Sequence, residues 1–156
     1  MASEIERKFL VEGDGWKAQA DRGKAITQAY LASTHKASIR VRITDDAKAV
    51  ITIKSAGSGT SRLEFEYPIP LDDARELIKL REGRLLEKRR HIVGAGKLKW
   101  EIDVFGSDLK GLVIAEIELP NSETEFERPS WLGREITGDK RYYNANLAAG
   151  ETPSHA

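Results

Sequence analysis

The sequence contains no cysteine. Disulfides, thiolate metal sites and a cysteine nucleophile are excluded together, and the chain suits a reducing compartment. It has no net charge either, because 25 Lys and Arg balance 25 Asp and Glu. Nothing in that balance draws the chain to nucleic acid or to a membrane surface, so any binding of polyanions must come from local arrangement. Only three histidines occur, His35, His91 and His155; they lie far apart without metal-ligand spacing, and a His-based zinc or catalytic site is not expected. No segment approaches the length of a membrane span. Glu4 and Glu6 stand where a signal peptide would turn basic and then apolar, so a cytoplasmic protein is expected. The glycine-rich stretches 57–60 and 94–97 read as hairpin turns, since neither matches Gly-x-x-x-x-Gly-Lys-Ser/Thr nor opens a helix.

What is present is charge: 32% of the 156 residues are Asp, Glu, Lys or Arg, above the roughly 25% of an ordinary globular chain. The length fits one domain, expected over 1–149 with 150–156 as a frayed tail. Period-2 alternation predicts strands at 3–11, 25–31, 38–44, 47–54, 62–69, 85–93, 98–105 and 112–119, with Asp45-Asp46 as a tight hairpin between two of them. Helical spacing of Leu71, Ala74, Leu77 and Ile78 predicts a helix over 72–80 capped by Asp72 or Asp73. Shorter helical stretches are predicted at 16–20 behind Asp14, after a capping box of Ser122 and Glu125, and near 142–149. The fold class is α+β. Eight strands suffice for a closed antiparallel barrel, a closure inferred from number alone. Trp16, Trp100 and Trp131 read as core or cover residues.

Several strands carry two like charges at i, i+2: Glu4/Glu6, Arg40/Arg42, Glu64/Glu66, Lys88/Arg90, Glu101/Asp103 and Glu116/Glu118, with Lys8 and Lys54 in the same parity. The opposite faces are apolar, as in Ile39/Val41/Ile43, Leu63/Phe65/Tyr67, Trp100/Ile102/Val104 and Val113/Ala115/Ile117/Leu119. One such pair is ordinary for a sheet with one face in water. Like charges roughly 6.6 to 7 Å apart repel, however, so recurrence on six strands calls for bound species of opposite sign. Carboxylates suit a hard divalent cation, and Arg and Lys suit the oxygens of a polyphosphate. The strand at 85–93 is ambiguous, since Glu87, Arg89 and His91 lie opposite Lys88 and Arg90.

Glu4-Ile5-Glu6-Arg7-Lys8 resembles the Glu-x-Glu-x-Lys signature of the CYTH, or triphosphate tunnel metalloenzyme, superfamily. The resemblance to its small bacterial members continues in order through Arg40-Val41-Arg42, Thr52-Ile53-Lys54, Glu64-Phe65-Glu66, Glu87-Lys88-Arg89-Arg90, Glu101-Ile102-Asp103, Glu116-Ile117-Glu118 and 137–142. It implies an eight-stranded tunnel in which Lys8, Arg40, Arg42, Lys54, Lys88, Arg90 and Lys140 hold the phosphate chain, which also decides the parity of 85–93. It implies Mg²⁺ or Mn²⁺ on Glu4, Glu6, Glu116 and Glu118, with Glu64, Glu66 and Asp103 nearby. His91 stands where the family often has an aromatic residue. The activity implied is in-line attack of water on a terminal phosphoryl group, with Glu4, Glu6, Lys8 and Glu118 as the catalytic set. Inorganic tripolyphosphate is the favoured substrate; class IV adenylate cyclase, thiamine triphosphatase and a non-catalytic polyphosphate- or nucleotide-binding module are the alternatives. The cyclase branch typically has a His-Phe dipeptide before the motif, where this chain has only Met1-Ala2-Ser3. No nucleic acid or membrane partner is expected, and the protein is expected to be a monomer or homodimer.

Overall fold

A computed structural model describes residues 5–56 and 63–150. Residues 1–4, 57–62 and 151–156, and with them Glu4 and the turn expected at 57–60, lie outside the described residues. The strands are β1 (Ile5–Val11), β2 (Lys24–Ser33), β3 (Ala37–Thr44), β4 (Lys48–Ser55), β5 (Glu64–Ile69), β6 (Glu82–Ala95), β7 (Leu98–Phe105), β8 (Val113–Leu119) and β9 (Leu132–Glu135). Two short helices, α1 (Leu71–Leu77) and α2 (Asn144–Ala148), complete the α+β fold together with several 3-10 turns. Hydrogen bonding runs in the order β5-β4-β3-β2-β6-β7-β8-β1-β9.

This order corrects two expectations. Among the described residues the sheet has nine strands, not eight, and its hydrogen-bonded order is not closed. The physical reason lies at β1, which pairs antiparallel with β8 on one edge and with β9 on the other. Both edges of the first strand are thereby used, leaving none to join the far end of the series. Gly133 makes this pairing feasible, because a Cβ there would come within 2.8 Å of the Leu10 carbonyl oxygen.

The chain divides into two compact units. The first holds 5–24 and 89–139. Its core is the apolar face of β1, β7 and β8, where Phe9, Trp100, Ile102, Ala115, Ile117 and Leu119 are buried. Trp16, from the 3-10 turn Gly15–Gln19, and Trp131 cover that core, and the Trp100 and Trp131 rings meet edge to face at 5.4 Å. His91 packs on Trp16 at 5.1 Å. No helix forms after Ser122: the Asn121 carboxamide oxygen accepts from the Glu123 N–H and the Thr124 hydroxyl, both at 3.0 Å, and this local turn competes with a capping box.

The second unit holds 25–56, 63–88 and 140–150. Helix α1 lays Ala74 over Val41, Ile43 and Ala49. It starts at Leu71 after Pro70 with no side-chain cap, Asp72 and Asp73 instead placing negative charge in its first turn. At seven residues the helix reaches only part of the apolar face. Leu63, Phe65 and Tyr67, expected to pack, are therefore exposed at 59%, 48% and 55%. Asp45 and Asp46 form the β3–β4 turn with φ of 53° and 52°, a conformation Asp tolerates better than most residues. Gly83, at φ 70°, lets β6 approach the Ala148 carbonyl of α2.

Candidate active site

In the first unit, register brings the expected acids and bases onto the face opposite the core. Glu6 stands across from Glu118 and Lys8 across from Glu116 in β1 and β8, and Glu101 of β7 stands across from Glu116. The Lys8 ammonium lies 3.7 Å from Glu116. Arg90 is the most constrained member: its Nε and Nη2 donate to the two oxygens of Asp103 at 2.8 and 3.0 Å, and its Nη1 lies 3.0 Å from Glu101. Burial works against the Arg90 charge, but the Asp103 hydrogen bonds and the charges of Asp103, Glu101 and Glu116 outweigh it and leave the guanidinium more basic than usual. Asp103, buried and bidentate, thus fixes the orientation of Arg90.

The opposite face of β1 carries a charge among apolar neighbours, Arg7. Its Nε and Nη2 donate to Glu135 of β9 at 2.8 and 2.7 Å, and its guanidinium lies over the Phe9 and Phe126 rings. Arg128 lies over the same two rings. The Arg7 hydrogen bond holds the Glu135 carboxyl down to about 2. Glu135 also accepts from the Thr137 hydroxyl at 2.7 Å, and that hydroxyl accepts the Lys8 N–H at 2.9 Å. The Lys8 carbonyl accepts from the Ile136 N–H at 2.8 Å. Both backbone groups of Lys8 are thus held by the segment following β9.

The second unit presents its own polar face. Arg40 and Arg42 of β3 lie opposite Thr52 and Val50 of β4, and Lys54 lies opposite Ser38. Glu66 and Glu64 of β5 stand across from Thr52 and Lys54. The Thr52 hydroxyl donates to Glu66 at 3.1 Å, and Lys54 lies 3.9 Å from Glu64. Arg40 is 8% exposed, and its Nε has no hydrogen-bond partner among the described residues. Lys88 is buried at 5% exposure, whereas its neighbours Glu87 and Arg89 are exposed. Lys140 is exposed in the 3-10 turn Lys140–Tyr142, on no strand.

The sequence reading passed over Gln28 and Glu135 and gave Thr137, inside the matching stretch 137–142, no role of its own. Gln28 gave no signal beyond being one polar residue in an apolar strand; Glu135 and Thr137 act through contacts across nearly the whole chain, which no local pattern carries. Among the described residues, no three His, Cys, Asp or Glu side chains form a metal-holding group. The donor chemistry nonetheless suits a hard cation, because Glu6 faces Glu118 directly across the β1–β8 ladder. Like charges so opposed are unfavourable unless a cation is shared between them.

The first unit carries opposed carboxylates on β1 and β8 and the second carries guanidinium groups on β3, donor types that suit a hard cation and phosphate oxygens respectively. The chain belongs to the CYTH domain family, matched over residues 2–148. It is similar to the inorganic triphosphatase of Acetivibrio thermocellus, 45% identical over 148 residues and covering 94% of each chain. It is 37% identical to the inorganic triphosphatase of Nitrosomonas europaea, covering 94% of this chain and 97% of that one. A solved inorganic triphosphatase structure superposes with a TM-score of 0.75 at 32% identity, covering 98% of this chain and 99% of that one.

Proposed function

We propose that this protein is a divalent-metal-dependent triphosphatase whose substrate is inorganic tripolyphosphate. The observation that carries the reading is Arg40, a guanidinium withdrawn from water with an unpartnered Nε, on the same face of β3 as Arg42. A buried cation is unfavourable without an anion to offset it. Two relatives, both inorganic triphosphatases and each covered over more than nine-tenths of its length, point to the same substrate class.

In this reading Lys8, Arg40, Arg42, Lys54, Lys88, Arg90 and Lys140 hold phosphate oxygens, and Asp103 keeps Arg90 in the orientation it needs. Glu4, Glu6, Glu116 and Glu118 hold Mg²⁺ or Mn²⁺, with Glu64 and Glu66 near. When bound, the metal polarises phosphoryl oxygens and lowers the pKa of water. A carboxylate among Glu4, Glu6 and Glu118 orients the attacking water and takes its proton. The basic set neutralises charge growing on the phosphoryl group and its leaving oxygen, so positioning and electrostatics supply most of the acceleration.

The test is phosphate release from tripolyphosphate, ATP and thiamine triphosphate with Mg²⁺ or Mn²⁺, alongside cyclic AMP formation from ATP. Tripolyphosphate should give the highest kcat/KM. Cyclic AMP as the main product, or no phosphate from any substrate with either metal, would overturn the proposal.

A further inference from the structure

Gln28 lies on β2 directly across from Arg42 of β3, so its side chain shares the face that carries Arg40 and Arg42. It is 0% exposed, and neither its amide nitrogen nor its amide oxygen has a hydrogen-bond partner among the described residues. Such a residue is rare, because more than nine in ten buried polar groups in native proteins are hydrogen-bonded and an orphaned one destabilises the fold. Packing alone does not account for it: Met or Leu would fill the same space without stranding a polar group. On the same face, the Arg40 Nε is also a donor without a partner. A species that satisfies both must bring several acceptors close together.

We infer that Gln28 is a substrate-binding residue that donates its amide N–H groups to the oxygens of a polyphosphate held by Arg40 and Arg42. The inference rests on the triphosphatase reading for its ligand and adds a neutral member to a set otherwise composed of charges. A carboxamide donates without adding positive charge, so it directs an oxygen by geometry rather than by attraction alone. Its carbonyl oxygen accepts from water that enters with the ligand. In the free protein the unmet amide lowers stability, and in the complex it is satisfied. Stability is thus traded for binding, a trade common at functional sites.

The experiment compares wild type with Gln28→Met, which keeps the length and loses the polar atoms, and Gln28→Glu, which keeps the shape and replaces the donor with an anion. Melting temperatures are measured without ligand and with tripolyphosphate in EDTA, and kcat and KM with metal. Gln28→Met should melt no lower than wild type without ligand, while its KM rises about tenfold, the loss of one hydrogen bond to a charged acceptor. Gln28→Glu should raise KM further. The melting shift produced by tripolyphosphate should shrink in both. A Gln28→Met protein that melts below wild type, or one whose ligand-induced shift and KM are unchanged, would make Gln28 a core residue and overturn the inference. If wild type releases no phosphate, the triphosphatase reading fails separately, and the melting shifts in EDTA still decide whether Gln28 touches polyphosphate.

Discussion

Replacing Asp103 with Asn tests whether the Arg90 pair is a structural and functional unit. The carboxylate accepts two hydrogen bonds from Arg90 and is 8% exposed. Asn keeps the shape but accepts at one oxygen, and it turns an N–H₂ group toward a guanidinium that cannot accept. Removing one partner of a buried ion pair costs roughly 3–5 kcal/mol, because the other charge is left uncompensated. Here two observations reduce that figure: Glu101 stays 3.0 Å from Arg90, and the Arg90 side chain is 22% exposed. About 2 kcal/mol is expected, or a fall in Tm of roughly 4–8 °C for a chain of this size. Circular dichroism melts of Asp103→Asn, Arg90→Met and the double variant at pH 7 close a thermodynamic cycle, with a coupling of about 1–3 kcal/mol expected. A Tm within a degree of wild type together with negligible coupling would refute the argument. Turnover of tripolyphosphate should fall in Asp103→Asn through a higher KM, since a misdirected guanidinium still carries its charge.

The Arg7–Glu135 pair gives a pH signature. Because the folded carboxyl is depressed to about 2 from 4.5, the stability it supplies is fully present above about pH 4.5 and is lost as pH falls toward 2. Solvent screening of this pair, whose side chains are 28% and 34% exposed, limits its contribution to no more than about 1 kcal/mol. Urea unfolding of Glu135→Gln should run below wild type by a constant amount above pH 5, with the gap narrowing below about pH 4.5 and closing as pH approaches 2; a gap independent of pH would refute the assignment. Glu6→Gln is expected to abolish metal-dependent turnover with the circular dichroism spectrum and Tm preserved, and unchanged turnover would remove Glu6 from the metal site. Gly133→Ala should cost about 1–3 kcal/mol, because the added methyl meets the Leu10 carbonyl at 2.8 Å; a melt matching wild type would show that β9 yields without strain.

Much of this arrangement was legible in the residue order, for a definable reason. Glu6 and Lys8, Arg40 and Arg42, and Glu116 and Glu118 announce their faces because side chains alternate strictly along a strand. What alternation cannot give is the partner of a strand. The four residues of β9 are too few to form a pattern, and Gly133 interrupts even those, so the ninth strand and the open order escaped notice. Nor does parity tell which apolar face is covered. The spacing of Phe65 and Tyr67 matches that of Val41 and Ile43, yet only the latter pair lies beneath α1. Gln28 was hidden for a different reason: its importance lies in a missing partner, which only coordinates reveal.

The doubly flanked first strand also bears on how the protein is made. Ile5 to Leu10 find their ladder in 114–119, and Arg7 finds its counter-ion 128 positions later. During synthesis the Glu-Arg-Lys stretch stays unpaired until residues 113–119 have been made. Such long-range closure is slow, and a chain cut short before residue 113 would lack both partners of the first strand and leave its two edges open to association. Interrupted translation should therefore yield aggregate rather than a weakened enzyme.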